Sequence, residues 1–175
     1  MSGFSKKMLW TFVITTLAGA CLHFLYDLLP NPVTALFSPV SESLWEHVKI
    51  IFWPYLVSTL VLWRGKEHAD PAPRLAAMLL ICAGMLVAGW VYHVVLGGTS
   101  MVFDIGLYVV LMAVGFVLPC LGRKPLGTGH LMPLFCLTVT LGVAVILFTF
   151  LPPAALLFQD LSGARTWVEI ACPGC

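Results

Sequence analysis

The stretch that decides the fold runs from Met101 to Leu121 and reads MVFDIGLYVVLMAVGFVLPCL, with Asp104 as its single charged side chain. The hydrocarbon core of a bilayer is crossed by roughly 20 mostly apolar residues in a helix. This stretch is long enough and apolar enough to do so. It therefore predicts a membrane-spanning helix.

Four further apolar runs flank it, in a chain of 175 residues that is 60% hydrophobic and only 10% charged. The mean hydropathy of +0.99 is too high for a soluble domain. We therefore expect an all-α integral membrane protein with about five transmembrane helices in a single domain, residues 1–175. The predicted spans are 8–29, 47–63, 75–96, 101–121 and 131–151.

The basic residues indicate how these helices are oriented. They precede the first span and fill the second-to-third and fourth-to-fifth connections. Because cytoplasmic loops carry an excess of Lys and Arg, we predict a cytoplasmic amino terminus and an extracytoplasmic tail, 152–175, in a multi-pass protein of the cytoplasmic membrane. The lipid bilayer is then its partner, and a net charge of +1 indicates no nucleic-acid partner. The basic residues placed inside are Lys6, Lys7, Arg64, Lys66, Arg74, Arg123 and Lys124.

Polar side chains gather at one end of the predicted bundle. The end of the first span, the start of the second, the end of the third and the start of the fourth all face outward in this topology. Ionisable groups at membrane depth are costly and are functional candidates by default. We therefore predict a polar site there that binds a lipid or small-molecule ligand. Its expected ligand-binding residues are His23, Tyr26, Asp27, Lys49, Tyr92, His93 and Asp104.

The segment SPVSESLWEHVK, Ser38–Lys49, supplies acid–base groups to this site. Glu42 and Glu46 are candidate general bases and His47 a candidate acid, because a carboxylate near a membrane interface is expected to have a raised pKa. Imidazole with carboxylate is also a common ligand set for zinc, iron or manganese, so a divalent metal is a candidate cofactor, and the sequence identifies no cofactor. No compact H-E-x-x-H spacing accompanies it. The expected metal ligands are His23, Asp27, Glu46 and His47.

The same residues also have a purely structural interpretation. Ser38-Pro39 is typical of a helix N-cap followed by proline, and Ser43-x-x-Glu46 is typical of a capping box. Asp27 is spaced four residues after His23, where it can hold the imidazole ring. On this interpretation the carboxylates start helices, and the polar cluster only locks the helices together.

The cysteines fall into two groups. Four lie singly within or beside apolar runs and are predicted to be buried, where free cysteine acts as a small apolar residue. Cys172 and Cys175 form a C-x-x-C in the tail that can close a disulfide outside the cytoplasm. No helix can follow this motif, which disfavours a redox role. The four single cysteines are Cys21, Cys82, Cys120 and Cys136.

Two segments carry a family resemblance: HFLYDLLPN, from His23, and FSPVSESLWEHVKIIFWP, from Phe37. They resemble the H-F-x-Y-acidic and S/A-P-V-N-E-S-x-W-E-H-L-K segments of an uncharacterised family of small bacterial integral membrane proteins. Two later segments, YHVVLGGTSMVFDIG from Tyr92 and FTFLPPAALLFQD from Phe148, resemble the Y-x-x-x-x-G-then-acidic and F-T-x-x-P-P…L-F-x-D segments of the same family. The chain departs from that pattern at Ser41, where the family has asparagine. The resemblance implies a bacterial membrane protein and no defined activity. The matching positions are His23, Tyr26, Asp27, Pro39, Glu42, Ser43, Trp45, Glu46, His47, Lys49, Asp104 and Asp160.

Three functions stay open at this point. The first is a membrane-embedded enzyme that acts on a lipid-type substrate. The second is a transporter or ion-binding protein, since acidic groups and histidines at depth form proton and cation relays. The third is a scaffold whose polar cluster is structural. The sequence has no nucleophile motif to favour the first, and its charges occupy only one end of the bundle, which disfavours the second.

Overall fold

The computed structural model describes residues 6–65, 70–121 and 128–161, and their regular structure is helical throughout. The third long helix, α5, continues without a break into a π-helical turn, Val91–Val95, and a short 3-10 turn, Leu156–Phe158, follows the last helix. The helices are α1 (Lys6–His23), α2 (Leu25–Leu28), α3 (Pro32–Phe37), α4 (Leu44–Arg64), α5 (Ala72–Trp90), α6 (Met101–Leu121) and α7 (Thr128–Phe150).

Three of the described helices are long and apolar enough to cross a membrane: Ala72–Val95, Met101–Leu121 and Gly129–Phe150. They coincide with the third, fourth and fifth predicted spans. This confirms an all-helical protein with membrane-type helices. Two further helices, α1 and α4, have 18 and 21 residues but carry charged or ionisable residues in their first turns. The full number of spans and the orientation of the termini stay predictions.

Close glycine contacts define how the long helices align. Gly89 near the end of α5 faces Leu44 at the start of α4, so these two helices run antiparallel. Gly115 of α6 packs against Ile81 of α5 and against Tyr55 of α4. The core therefore lies where α4, α5 and α6 meet, and α1 and α7 cover it from outside.

Prolines inside the helices create two of these contacts. A proline has no N–H, so the carbonyl four residues earlier loses its helical partner. Pro119 frees the carbonyl of Gly115 in this way, and the buried Tyr55 hydroxyl donates a hydrogen bond to it. Pro54 likewise frees the carbonyl of Ile50, against which Gly19 of α1 is packed. Both unsatisfied carbonyls are thus covered by a neighbouring helix.

The first predicted span is not one continuous helix, because α1 ends at His23 instead of Leu29. The Ser38 hydroxyl donates to the Leu22 carbonyl at 2.6 Å and accepts from the Tyr26 N–H at 3.0 Å. Those two groups are the ones a continuous helix would join directly. Ser38 therefore enters the helical ladder as a bridge, which is a recognised cause of a helix break.

Two other local expectations need correction. Ser38 is not an N-cap: it ends α3, and Ser43 caps α4 by accepting from the Glu46 N–H at 3.3 Å. Among the four single cysteines only Cys82 is buried, and the others lie on the exposed surface of the helices. Cys172 and Cys175 lie outside the described residues, as do Lys66, Arg123 and Lys124.

Candidate metal centre

Three ionisable side chains converge at the end of the bundle that we call the polar end, defined by His23, Glu42 and His47. His23 is the last residue of α1, Glu42 lies in the turn before α4, and His47 is in the first turns of α4. A Glu42 carboxylate oxygen lies 3.3 Å from His47 Nε2 and 3.9 Å from His23 Nε2. One ligand atom from each residue lies within 4.8 Å of the others, so a single ion could contact all three.

The orientation of His47 is set by the backbone. Its Nδ1 lies 2.8 Å from the Ser43 carbonyl. Because a carbonyl only accepts, Nδ1 must carry a hydrogen and donate it. In the neutral ring, Nε2 then presents a lone pair to the Glu42 carboxylate, which is also an acceptor. Two facing acceptors require a proton or a cation between them. Metal-binding histidines have this arrangement, in which the second ring nitrogen donates to a carbonyl.

His23 completes the group but lacks the partner expected for it. Its ring lies 5.2 Å from the ring of His47, edge to face, and its Nε2 faces Glu42. Its Nδ1 is buried and has no hydrogen-bond partner within the described ranges. Asp27 does not hold this ring, because the break in the helix after His23 leaves Asp27 exposed on α2. The predicted His23–Asp27 pair is therefore wrong.

Glu42 is electrostatically suited to hold a cation. Its hydrogen bond with His47 keeps the pKa of its carboxyl below the usual range, against the opposing effect of partial burial, and the positive charges of His47 and His23 lower it further. The direction is opposite to the raised pKa expected for a carboxylate near the interface. Glu42 is therefore ionised at neutral pH and is a weaker base than predicted. Its side chain is 48% exposed, so the group is reachable from the surface.

Glu46 and Lys49 form a separate, fully paired network. Lys49 Nζ donates to Glu46 Oε2 at 2.5 Å and to the carbonyls of Ala35 and Ser38 at 2.8 and 3.1 Å, which uses all three hydrogens. The Glu46 carboxylate also accepts from the Val40 N–H and the Thr149 hydroxyl. Both side chains are buried. The structure does not bring Glu46 to the group of His23, Glu42 and His47, and its carboxylate takes no part in the predicted capping box.

His93 and Asp104 form a third polar pair. His93 Nδ1 lies 2.8 Å from the Gly98 carbonyl, and its Nε2 lies 2.8 Å from an Asp104 oxygen. The π-helical turn at the end of α5 carries His93, and Tyr92 beside it stacks on Phe103 and accepts from the Ser100 N–H. These predicted ligand-binding residues therefore bind one another. Tyr26 contributes its backbone N–H to the Ser38 bridge.

An apolar groove of about 600 Å³ lies on the other side of α4, between α4 and α7. Leu56 lines it and follows His47 by nine positions, which places the two side chains on opposite faces of the helix. The groove is therefore separate from the group of His23, Glu42 and His47.

Sequence reasoning missed Arg74. It was counted among the basic residues of a cytoplasmic connection, but α5 begins at Ala72 and the Arg74 side chain is only 1% exposed. A signal was present, since Arg74 directly precedes a long apolar run and Pro71 and Pro73 favour a helix start before it.

No curated protein and no solved structure matches the chain. A family match covers almost its whole length. The chain belongs to the family described as Family of unknown function (DUF6512), which matches residues 1–166.

Proposed function

We propose that this is a multi-pass protein of the bacterial cytoplasmic membrane that binds one divalent metal ion at its extracytoplasmic end through His23, Glu42 and His47. The observation that carries the proposal is the convergence of one carboxylate and two imidazoles, with His47 held by the Ser43 carbonyl so that Nε2 faces Glu42. Two nitrogens and one carboxylate oxygen form a ligand set that suits zinc, iron or manganese.

Three protein ligands leave coordination positions free for water or substrate. A zinc ion held by these residues would lower the pKa of bound water to about 7, and any of the three metals would polarise carbonyl or phosphoryl oxygens. The half-exposed side chain of Glu42 supports a site at the rim of the bundle that a lipid head group could reach. We therefore assign the protein to membrane-embedded enzymes that act on lipid-type substrates. His93 and Asp104 are the nearby pair assigned to accept or return a proton.

A transporter would rest on the same ion site and differs by moving the ion across the bilayer. Glu46 and Lys49 have contacts that support a structural role, because the buried polar groups of this pair have hydrogen-bond partners. These two groups of residues therefore have different proposed roles. The cluster of His23, Glu42 and His47 binds the metal ion, and the pair of Glu46 and Lys49 holds α3, α4 and α7 together.

The test is elemental mass spectrometry of protein purified in detergent without chelators from cells supplied with zinc, iron and manganese. We expect close to one metal ion per chain in the wild type, and loss of that ion in Glu42→Gln and His47→Asn. Asp27→Asn is the matched control, since Asp27 is exposed and lies outside the cluster. It should keep the metal.

A wild-type protein without bound metal would reject the proposal. Equal loss in Asp27→Asn would also reject it, because the ion would then depend on a residue outside the cluster. Size-exclusion profiles confirm that each variant is folded. Ion flux is measured in vesicles into which the purified protein has been reconstituted, and it distinguishes a transporter from an enzyme.

A further inference from the structure

The guanidinium of Arg74 lies inside the bundle, at the end opposite the polar end. Its Nε, Nη1 and Nη2 atoms are buried and have no hydrogen-bond partner in the described part of the chain. Its Cζ lies 4.8 Å from the centre of the Phe116 ring and 5.3 Å from that of Tyr55. Ring faces attract a cation, but they leave five N–H donors without an acceptor of ordinary strength.

The side chain points inward from its helix end. Arg74 is in the first turn of α5, yet it reaches Phe116 of α6, and the neighbouring Gly115 is level with Ile81, two turns further along α5. Long cationic side chains near helix ends normally extend toward the interface, where water solvates the charge. An inward guanidinium without a partner is costly. The arrangement therefore calls for a partner of opposite charge.

The chain does not supply that partner from the obvious position. Asp70 lies four residues before Arg74, but within the described ranges no ion pair joins them. One Asp70 oxygen accepts from the Ala72 N–H at 2.9 Å, and the other is buried without a hydrogen bond. The Tyr55 hydroxyl is already committed to the Gly115 carbonyl.

We propose that Arg74 binds an oxyanion of the phosphate class between α4, α5 and α6. The planar guanidinium presents paired N–H donors that match two oxygens of a phosphate or carboxylate. Free phosphate and the phosphate head group of a bilayer lipid share this chemistry. The site is independent of the metal centre.

The test uses full-length protein exchanged into a maltoside detergent, which contains no phosphate. Thermal unfolding is measured with added inorganic phosphate, and separately with added phosphatidic acid. We expect a concentration-dependent rise in Tm for the wild type that is absent in Arg74→Gln. Arg74→Lys should bind roughly tenfold more weakly, because an ammonium lacks the planar fork. The matched control is Arg64→Gln, an exposed arginine at the end of α4, which should respond as the wild type does.

A response to inorganic phosphate assigns the site to a free anion, and a response to phosphatidic acid alone assigns it to a lipid head group. A wild type that responds to neither overturns the proposal, whatever the variants do. An equal response in Arg74→Gln overturns it too. If Asp70→Asn, Arg74→Gln and the double variant all lower Tm by the same amount, Asp70 and Arg74 form an ion pair with each other. That result also refutes the oxyanion site. If Arg74→Gln does not fold, the Tm response of Arg74→Lys is compared with that of the wild type instead.

Discussion

At the scale of single residues, the Glu42 carboxylate couples the stability of the polar end to pH. Its pKa in the folded protein lies below the ordinary value of 4.5. The stability that this carboxylate contributes is therefore fully present above about pH 4.5 and is lost as the pH falls through the folded-state pKa. Because the group is half exposed, we expect a contribution of no more than about 1 kcal/mol.

The measurement is the unfolding free energy of wild type and Glu42→Gln in chelator-containing detergent buffer between pH 6 and pH 3. We expect the wild type to be the more stable at pH 6, and the difference between the two proteins to shrink as the pH falls. A difference that stays constant across this range would show that the carboxylate gains nothing from His47 and His23.

Lys49 is a second residue with a defined energetic role. Changing it to methionine leaves the buried Glu46 carboxylate without its counter-charge, which should cost about 3–5 kcal/mol. The double variant Glu46→Gln/Lys49→Met should lose less than Lys49→Met alone, because no buried charge is left unpaired. Lys6→Met, at an exposed site, is the control. Chemical unfolding in detergent measures all four proteins, and a double variant less stable than Lys49→Met would contradict the buried pair.

Residue types alone nominate His23 and His47 as metal ligands and Glu42 as a general base, since ionisable groups are rare in such an apolar chain, and these roles stay predictions. Residue types do not show which of the ionisable residues lie together in the folded protein. The break after His23 depends on the Ser38 hydroxyl, which bonds the Leu22 carbonyl from 16 positions further along the chain, and no residue near Asp27 predicts that bond. The pairing of Glu46 with Lys49 likewise depends on where the carbonyls of α3 fall.

At the scale of helices, the contact between α4 and α6 rests on a carbonyl that Pro119 leaves unpaired. Tyr55→Phe removes the hydroxyl that bonds the Gly115 carbonyl and should cost about 1–3 kcal/mol. In a Pro119→Ala background the alanine N–H can take that carbonyl within α6. The cost of Tyr55→Phe should then be smaller. The check is a double-mutant cycle by thermal unfolding, and an unchanged cost in the alanine background would refute the compensation.

The packing of α1 on the bundle depends on Gly19. A Cβ at this position would collide with the Tyr108 hydroxyl and the Ile50 carbonyl, so Gly19→Ala should destabilise the protein by about 1–3 kcal/mol. Gly106 of α6 has open space around it and is the matched control, where alanine should be neutral or stabilising. Thermal unfolding in detergent compares the two. Equal losses at both positions would mean that α1 does not approach α4 closely.

At the scale of the whole molecule, long apolar runs made the helices predictable, because a bilayer demands a minimum length of helix and a low charge. The predicted spans from 75 onward agree closely with α5, α6 and α7. The sequence also predicts that polar groups from separate helices share one end, and a shared polar site there stays a prediction. It could not indicate the inward direction of Arg74. Until the start of the helix is known, a sequence does not distinguish an arginine in a loop from one that is buried in a first helical turn.

The most direct test of a metal centre at the extracytoplasmic end uses sealed membrane vesicles of both orientations that carry the metal-loaded protein. A membrane-impermeant chelator is added outside, and the metal that remains on the protein is measured. We predict that the chelator removes the ion from right-side-out vesicles and leaves it in inside-out vesicles, with Glu42→Gln holding none in either. Removal only from inside-out vesicles would place the site on the cytoplasmic side. Metal retained equally by wild type and Glu42→Gln would contradict the site itself.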